Sequence, residues 1–176
     1  MAKAYFVTGP SGSGKTTLRN VINEDGNFVI ASSDDYLMEK AQEHGMSYQE
    51  AYGKFLEDSE KNFRSTIERA ISENRDIIID RTFLTVGKRA GLLTMFRDAD
   101  YEKIALMPDE DVGSWELREI LLDVARTRDD RGAPMPEHVI IEQCRAYERP
   151  DVAEGFDRVM TFSEIALSLT LDEPSI

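Results

Sequence analysis

Apolar positions along the chain fall into two periodicities that alternate. Five short runs, Ala4–Thr8, Phe28–Ser32, Ile77–Asp80, Lys103–Met107 and Arg158–Phe162, are unbroken by proline, as strands buried on both faces are. Between them the apolar spacing changes to three and four. Apolar residues at 51, 52, 55, 56, 63, 67, 70 and 71 predict one long helix. Ser47 and Glu50 open it at capping-box spacing, Asn74 ends it, and Gly53 weakens it locally. Trp115 to Arg128 predicts a second helix with Leu117, Ile120, Leu121, Val124 and Ala125 on one face. A third should start near Pro136, a good first-turn residue, and turn Val139, Ile140, Cys144 and Tyr147 inward. Strands alternating with helices predict an α/β fold on a parallel sheet.

No repeat, low-complexity segment or linker divides the 176 residues, so one domain over 1–176 is expected. That length supports a full core without disulfides or a structural metal. The single cysteine, Cys144, cannot form an internal bridge and fits a reducing compartment. No apolar run reaches the ~18 residues of a membrane span. Met1 to Val7 runs into a glycine-rich segment, which is wrong for a signal peptide. The expectation is a cytoplasmic protein with neither a membrane nor a disulfide partner.

The strongest chemical signal follows the first predicted strand. Gly9, Pro10, Ser11, Gly12, Ser13, Gly14, Lys15 and Thr16 complete G-x-x-x-x-G-K-[ST], and Thr17, Leu18, Val21 and Ile22 then read as a short helix. Glycines let such a loop fold into a nest of N–H groups aimed at phosphate oxygens, and the helix adds its positive N-terminal dipole. The motif predicts a P-loop NTPase that binds ATP through Gly9, Ser11, Gly12, Ser13, Gly14, Lys15, Thr16 and Thr17. Lys15 would reach the β and γ phosphates, and the Thr16 hydroxyl would bind Mg²⁺.

Ligands of parallel α/β sheets sit outside the carboxyl ends of the strands, so acids placed there carry the next signal. Ser33, Asp34 and Asp35 follow the second strand, and Asp80, Arg81 and Thr82 end the third. Asp80, closing an aliphatic run, reads as a second Mg²⁺ group, directly or through water. Asp34 or Asp35 can take the proton of an attacking hydroxyl, with N-capping of the next helix as the competing role. Asp34, Asp35, Arg81 and Thr82 are expected to face the acceptor. Arg126, Arg128 and Arg131 precede a Gly132–Pro136 connection, which predicts a lid over about 126–136 whose guanidinium groups offset charge on the leaving phosphoryl group. A cation-decorated helix C-terminus is the alternative. His44 and His138 lack metal-ligand spacing, Trp115 reads as packing, and Tyr36 reads equally as core or as a base-stacking ring.

Net charge then limits the partners. The chain has 34 Asp and Glu against 21 Lys and Arg, for −13. Bases outnumber acids three to none in residues 1–20 and eight to four in 61–97, whereas residues 21–60 hold ten acids and two bases. This distribution excludes broad wrapping of a polyanion and leaves room for a narrow channel that grips one end. Residues 163–176 read as a short acidic tail.

In their order, the P-loop, the Asp-Asp-Tyr segment, the Ile-Asp-x-Thr segment and the arginine lid resemble polynucleotide 5′-hydroxyl kinases. The most specific stretch is Met135 to Met160, with Pro136, Val139, Tyr147, Glu148, Pro150, Glu154, Gly155 and Phe156. The resemblance runs from Ala4 to about Phe162. It implies a five-stranded sheet of order 2-3-1-4-5 with helices on both faces, and transfer of the ATP γ-phosphate to a 5′-OH end of DNA or RNA. Asp34 is the implied general base, Lys15 and Thr16 the phosphate and Mg²⁺ groups, and Arg126 and Arg131 the catalytic lid arginines; local spacing leaves Arg128, expected on ATP, as a substitute for either. No D-x-D-G-T sequence is present, so 3′-phosphatase activity is not expected. Ser33 and Leu37 stand where relatives often carry arginine. Zeta-toxin-like kinases of sugar nucleotides share the P-loop and the Asp after the second strand, and form the alternative.

Overall fold

The first strand, β1 (Ala2–Val7), sends Ala2, Ala4 and Phe6 into one buried cluster and Tyr5 and Val7 into another. A strand apolar on both faces needs cover on both, and the computed structural model, which describes residues 1–110, 119–124 and 136–171, has it at the centre of a sheet. Its neighbours are β2 (Val29–Ser32), β3 (Ile77–Asp80), β4 (Tyr101–Met107) and β5 (Arg158–Thr161). All pairings are parallel and the order is β2-β3-β1-β4-β5, as expected. β1 and β4 each start two residues before the apolar runs, because the ladder continues through Ala2 opposite Tyr101 and Lys3 opposite Glu102.

The helices are α1 (Lys15–Ile22), α2 (Ser33–His44), α3 (Tyr48–Ser72), α4 (Val86–Leu93), α5 (residues 119–124), α6 (Glu137–Ala146) and α7 (Phe162–Leu171). Phe63, Ile67 and Ala70 of α3 and Leu92 of α4 pack with Phe6, Ile77 and Ile79. On the opposite face Leu18 and Ile22 of α1 and Ile165 of α7 pack with Tyr5, Val7, Ile78 and Leu106. Among the described residues, no helix is long and apolar enough to cross a membrane.

The long helix has the predicted ends. Ser47 accepts from the Glu50 N–H, the Glu50 carboxylate accepts from the Ser47 N–H, and Asn74 takes the left-handed conformation (φ 49°) just past the C-cap. α6 begins one residue after Pro136, which serves as its N-cap, and buries Ile140 and Cys144. Two elements depart from expectation. Residues 163–171 are helical rather than tail, because Thr161 and Glu164 exchange side-chain bonds to each other's N–H groups and Ile165 reaches the core. α4 has no apolar rhythm in the sequence, since Gly87 and Gly91 flank a buried arginine.

That arginine fastens three segments. The Arg89 side chain is 0% exposed and its Nε donates to Glu154, itself 7% exposed, at 2.7 Å. Nη2 donates to the other Glu154 oxygen at 2.8 Å, and Nη1 donates to the carbonyls of Phe83 (2.9 Å) and Glu148 (2.8 Å). A buried pair satisfied at this many atoms is costly to break from one side. Arg89→Met or Glu154→Leu alone should cost about 3–5 kcal/mol in urea unfolding, and the double variant should lose clearly less than the sum.

Candidate active site

Register brings the site together. Asp80 pairs with Ser32 on one side and with Val7 on the other, so β2, β3 and β1 end level. The residues that follow therefore open on one edge: Asp34 and Asp35 on α2, Arg81 and Thr82 after β3, and the P-loop after β1. They line a cleft of about 770 Å³ with Ser11, Gly12, Gly14, Lys15, Thr16 and Thr17.

The loop is built as its sequence requires. Gly9 (φ 132°) has no space for a side chain, since a Cβ would lie 2.8 Å from Ser13 Oγ and 3.0 Å from Pro108. Gly14 opens α1 in the left-handed conformation (φ 88°) without a side-chain cap. Lys15 Nζ curls over the loop and donates to the carbonyls of Gly9 (3.0 Å) and Pro10 (2.7 Å), while Ser13 Oγ donates to Pro10. The Gly9 N–H donates to Thr82 O, which ties the loop to the end of β3. From α6, Gln143 Oε1 accepts the Ser11 N–H at 2.7 Å, and just beyond it the Tyr147 hydroxyl bonds the Thr8 hydroxyl at 2.8 Å. Burial pushes the Tyr147 hydroxyl above its ordinary pKa, and the Thr8 hydrogen bond pulls it back.

Neither aspartate after β2 is a helix cap. Ser32 is, accepting from the Asp35 N–H, and this places Asp34 and Asp35 in the first turn of α2. Asp34 Oδ1 accepts from the Tyr48 hydroxyl at 2.7 Å. Arg19 Nη1 lies 2.8 Å from Asp35 and 3.0 Å from Asp80 and bridges them. Burial pushes the Asp80 carboxyl above its ordinary value; Lys15 and Arg19 pull it back, and Asp35 and Asp34 push it up further. Arg81 lines the cleft but forms a two-pronged pair with Glu60 and lies with its guanidinium 4.7 Å from the Phe63 ring centre. Tyr36 is not among the cleft residues, and Lys40 sits over its ring. The lid residues Arg126, Arg128 and Arg131, and Trp115, lie outside the described residues.

Thr16 and Asp80 offer two hard oxygen donors to one cleft, a set that suits Mg²⁺, which keeps waters and substrate phosphate oxygens as its other ligands. Among the described residues no cluster of three or more His, Cys, Asp or Glu could hold a metal. The arrangement can therefore seat a nucleotide triphosphate on the loop and an acceptor hydroxyl at Asp34.

Several residues in the cleft or paired with its acids escape the sequence reading. Arg19 follows Lys15 by one helical turn, which is the only signal it has. Positions 52 and 56, part of the apolar rhythm that predicts α3, line the cleft, and Tyr48 and Glu60 continue the same four-residue spacing.

A family model described as an AAA domain, AAA_33, matches residues 5–150. The chain belongs to that family. Its fold is similar to that of a presumed kinase from Chloroflexus aurantiacus, with a TM-score of 0.65 at 15% identity over 98% of this chain and 99% of that one. A fungal RNA kinase has a TM-score of 0.60 at 15% identity, covering 99% of this chain and 88% of its own. A shikimate kinase from Bacteroides thetaiotaomicron has a TM-score of 0.55 at 13% identity, covering 96% and 97%. No curated protein matches. The fold is that of the P-loop kinases.

Removing Arg19 isolates the charge balance of this member of the family. The Asp80 carboxyl sits above its ordinary value of 3.8 in the folded chain. The folded state thus holds that proton more tightly than the unfolded one, and this contribution to stability falls as pH rises through the window above 3.8. Arg19→Ala takes away a cation that pulls the value down and so widens the window. The stability lost relative to wild type should grow as pH rises above about 4, read from urea midpoints at each pH.

Proposed function

We propose that this chain is an ATP-dependent polynucleotide kinase that transfers the γ-phosphate of ATP to the 5′-hydroxyl end of DNA or RNA. The observation that carries this reading is Asp34, held by the Tyr48 hydroxyl, on the same cleft as Lys15 and Thr16. The resemblance of Met135 to Met160 to polynucleotide kinases and the fold shared with a fungal RNA kinase support it.

In this reading Asp34 accepts the proton of the 5′-hydroxyl as its oxygen bonds to the γ-phosphorus. The bond from that phosphorus to the bridging oxygen breaks, and ADP leaves. Lys15 leaves its loop carbonyls for the β and γ oxygens, and the P-loop amides hold the phosphates. Mg²⁺, when bound, neutralises charge on the β and γ oxygens, and Thr16 and Asp80 are the residues that would hold it. Arg126, Arg128 and Arg131 are assigned to the nucleotide side. Asp35, Arg81 and Thr82 border the acceptor.

A second reading, transfer to a small hydroxylated molecule or a sugar nucleotide, is favoured by the engagement of Arg81 with Glu60, and it agrees with Ser33 and Leu37 standing where polynucleotide kinases carry arginine, often at the first position and in some members at the second. Radiolabelled ATP offered to 5′-OH oligonucleotides and to a nucleoside and sugar-nucleotide panel separates the two. Label on oligonucleotide ends is expected, and its absence across DNA and RNA with Mg²⁺ present would overturn the assignment. Asp34→Asn should retain ATP binding and lose about 10²–10⁴-fold in transfer. Turnover within about tenfold of wild type would remove Asp34 as the base.

A further inference from the structure

Tyr48, Tyr52, Leu56 and Glu60 stand at four-residue spacing and form one ridge along α3. Its ends are committed, Tyr48 to Asp34 and Glu60 to Arg81. Its middle is open. Tyr52 is 47% exposed and Leu56 38% exposed, and both line the cleft, where Leu37 and Met38 of α2 extend the apolar wall. The Tyr52 ring lies 6.3 Å from the Tyr48 ring, so an aromatic face begins one helical turn from the residue that holds Asp34.

The charges beside this wall narrow what it can take. Asp34, Asp35, Asp80 and Glu60 are all cleft residues. Arg81 is offset by Glu60, and Arg19 by Asp35 and Asp80. Lys15 is a further cleft cation, so four acids stand against three bases among the described residues. A second anionic group pressed against the wall finds no excess of positive charge there, whereas a neutral ring with a π face buries Tyr52 and Leu56 without needing one.

We propose that Tyr52, backed by Leu56, is a stacking shelf for the nucleobase of the nucleotide whose hydroxyl reaches Asp34. The proposal rests on the polynucleotide reading for the owner of that hydroxyl and adds how the end is recognised: by the face of its terminal base. Stacking of this kind tolerates any base, because each has a π face.

The test compares one 5′-OH oligonucleotide with its counterpart abasic at the terminal residue, in wild type, Tyr52→Ala and Tyr52→Phe. Wild type should show a KM about tenfold or more lower for the base-bearing end. Tyr52→Ala should bring the ratio of the two KM values close to one, and Tyr52→Phe should keep it, since the ring face suffices. A ratio taken within one variant is insensitive to any inactive fraction. Equal KM values in wild type, or a preference that survives Tyr52→Ala, would overturn the shelf. Calorimetric binding of the same two ends and of free nucleosides, with a non-hydrolysable ATP analogue present, separates the two readings. If no oligonucleotide is phosphorylated yet nucleosides bind in a Tyr52-dependent way, the polynucleotide reading falls and the shelf stands. If neither oligonucleotides nor nucleosides bind, both fall.

Discussion

Ser32, Asp80 and Val7 stand level on three hydrogen-bonded strands, and the contents of the cleft depend on that register. Ile77 and Ile79 belong to one core cluster and Ile78 to the other, so a slip of one residue would exchange the two faces of β3 and carry Asp80 off the edge it shares with the P-loop. The ladder also continues past the strands. Thr8 donates to Leu106 and Gly9 to Thr82, so the phosphate loop is tied to the neighbours of β1 on both sides before it turns into α1. The start of the loop is thereby fixed by the sheet, and that part of its ordering cost is met by folding rather than by ligand binding.

The charge of −13 acquires a local meaning at this edge. Bases do gather near the motifs, as segment counting predicts. Yet Arg19 is shared between Asp35 and Asp80, Arg81 is engaged by Glu60, and Arg89 is buried against Glu154. The basic bias of residues 61–97 is thus spent partly on internal pairing, and Lys61 and Arg75 lie near Asp58 and Glu73 on the surface. A track of unpaired cations for a polynucleotide body does not form from these side chains.

Much of the fold was legible because it follows from local patterns. The five strands, the capping box at Ser47 and the complete P-loop each depend on residues close in sequence. What stayed hidden depends on distant partners. α4 could not be read because its central residue, Arg89, is held by Glu154, 65 positions away. The same holds for Arg19, whose bridge to Asp80 spans 61 positions, and for the pairing of Glu60 with Arg81. Tyr52 and Leu56 belong to an apolar rhythm that marks a helix without saying whether sheet or cleft lies opposite it.

The stretch that carries the sharpest resemblance to polynucleotide kinases is also the one whose contacts are structural. Tyr147 bonds Thr8 at the start of the P-loop, the Glu148 carboxylate accepts the first N–H of α4 from Val86, Glu154 holds Arg89, and Phe156 packs edge-on against Phe6. None of these four lines the cleft. Shared residues here therefore bear on how the sheet and the phosphate loop are braced, and only indirectly on what accepts the phosphate. The residues that do line it on the proposed acceptor side come from α2 and α3, among them Ser33, Leu37, Tyr52 and Leu56. Two of those positions, Ser33 and Leu37, are ones at which the chain departs from the polynucleotide kinases it resembles. A kinase can keep its nucleotide half fixed through such a brace while its acceptor changes by substitutions on the facing wall of the cleft, to which α2 contributes Ser33 and Leu37 and α3 contributes Tyr52 and Leu56.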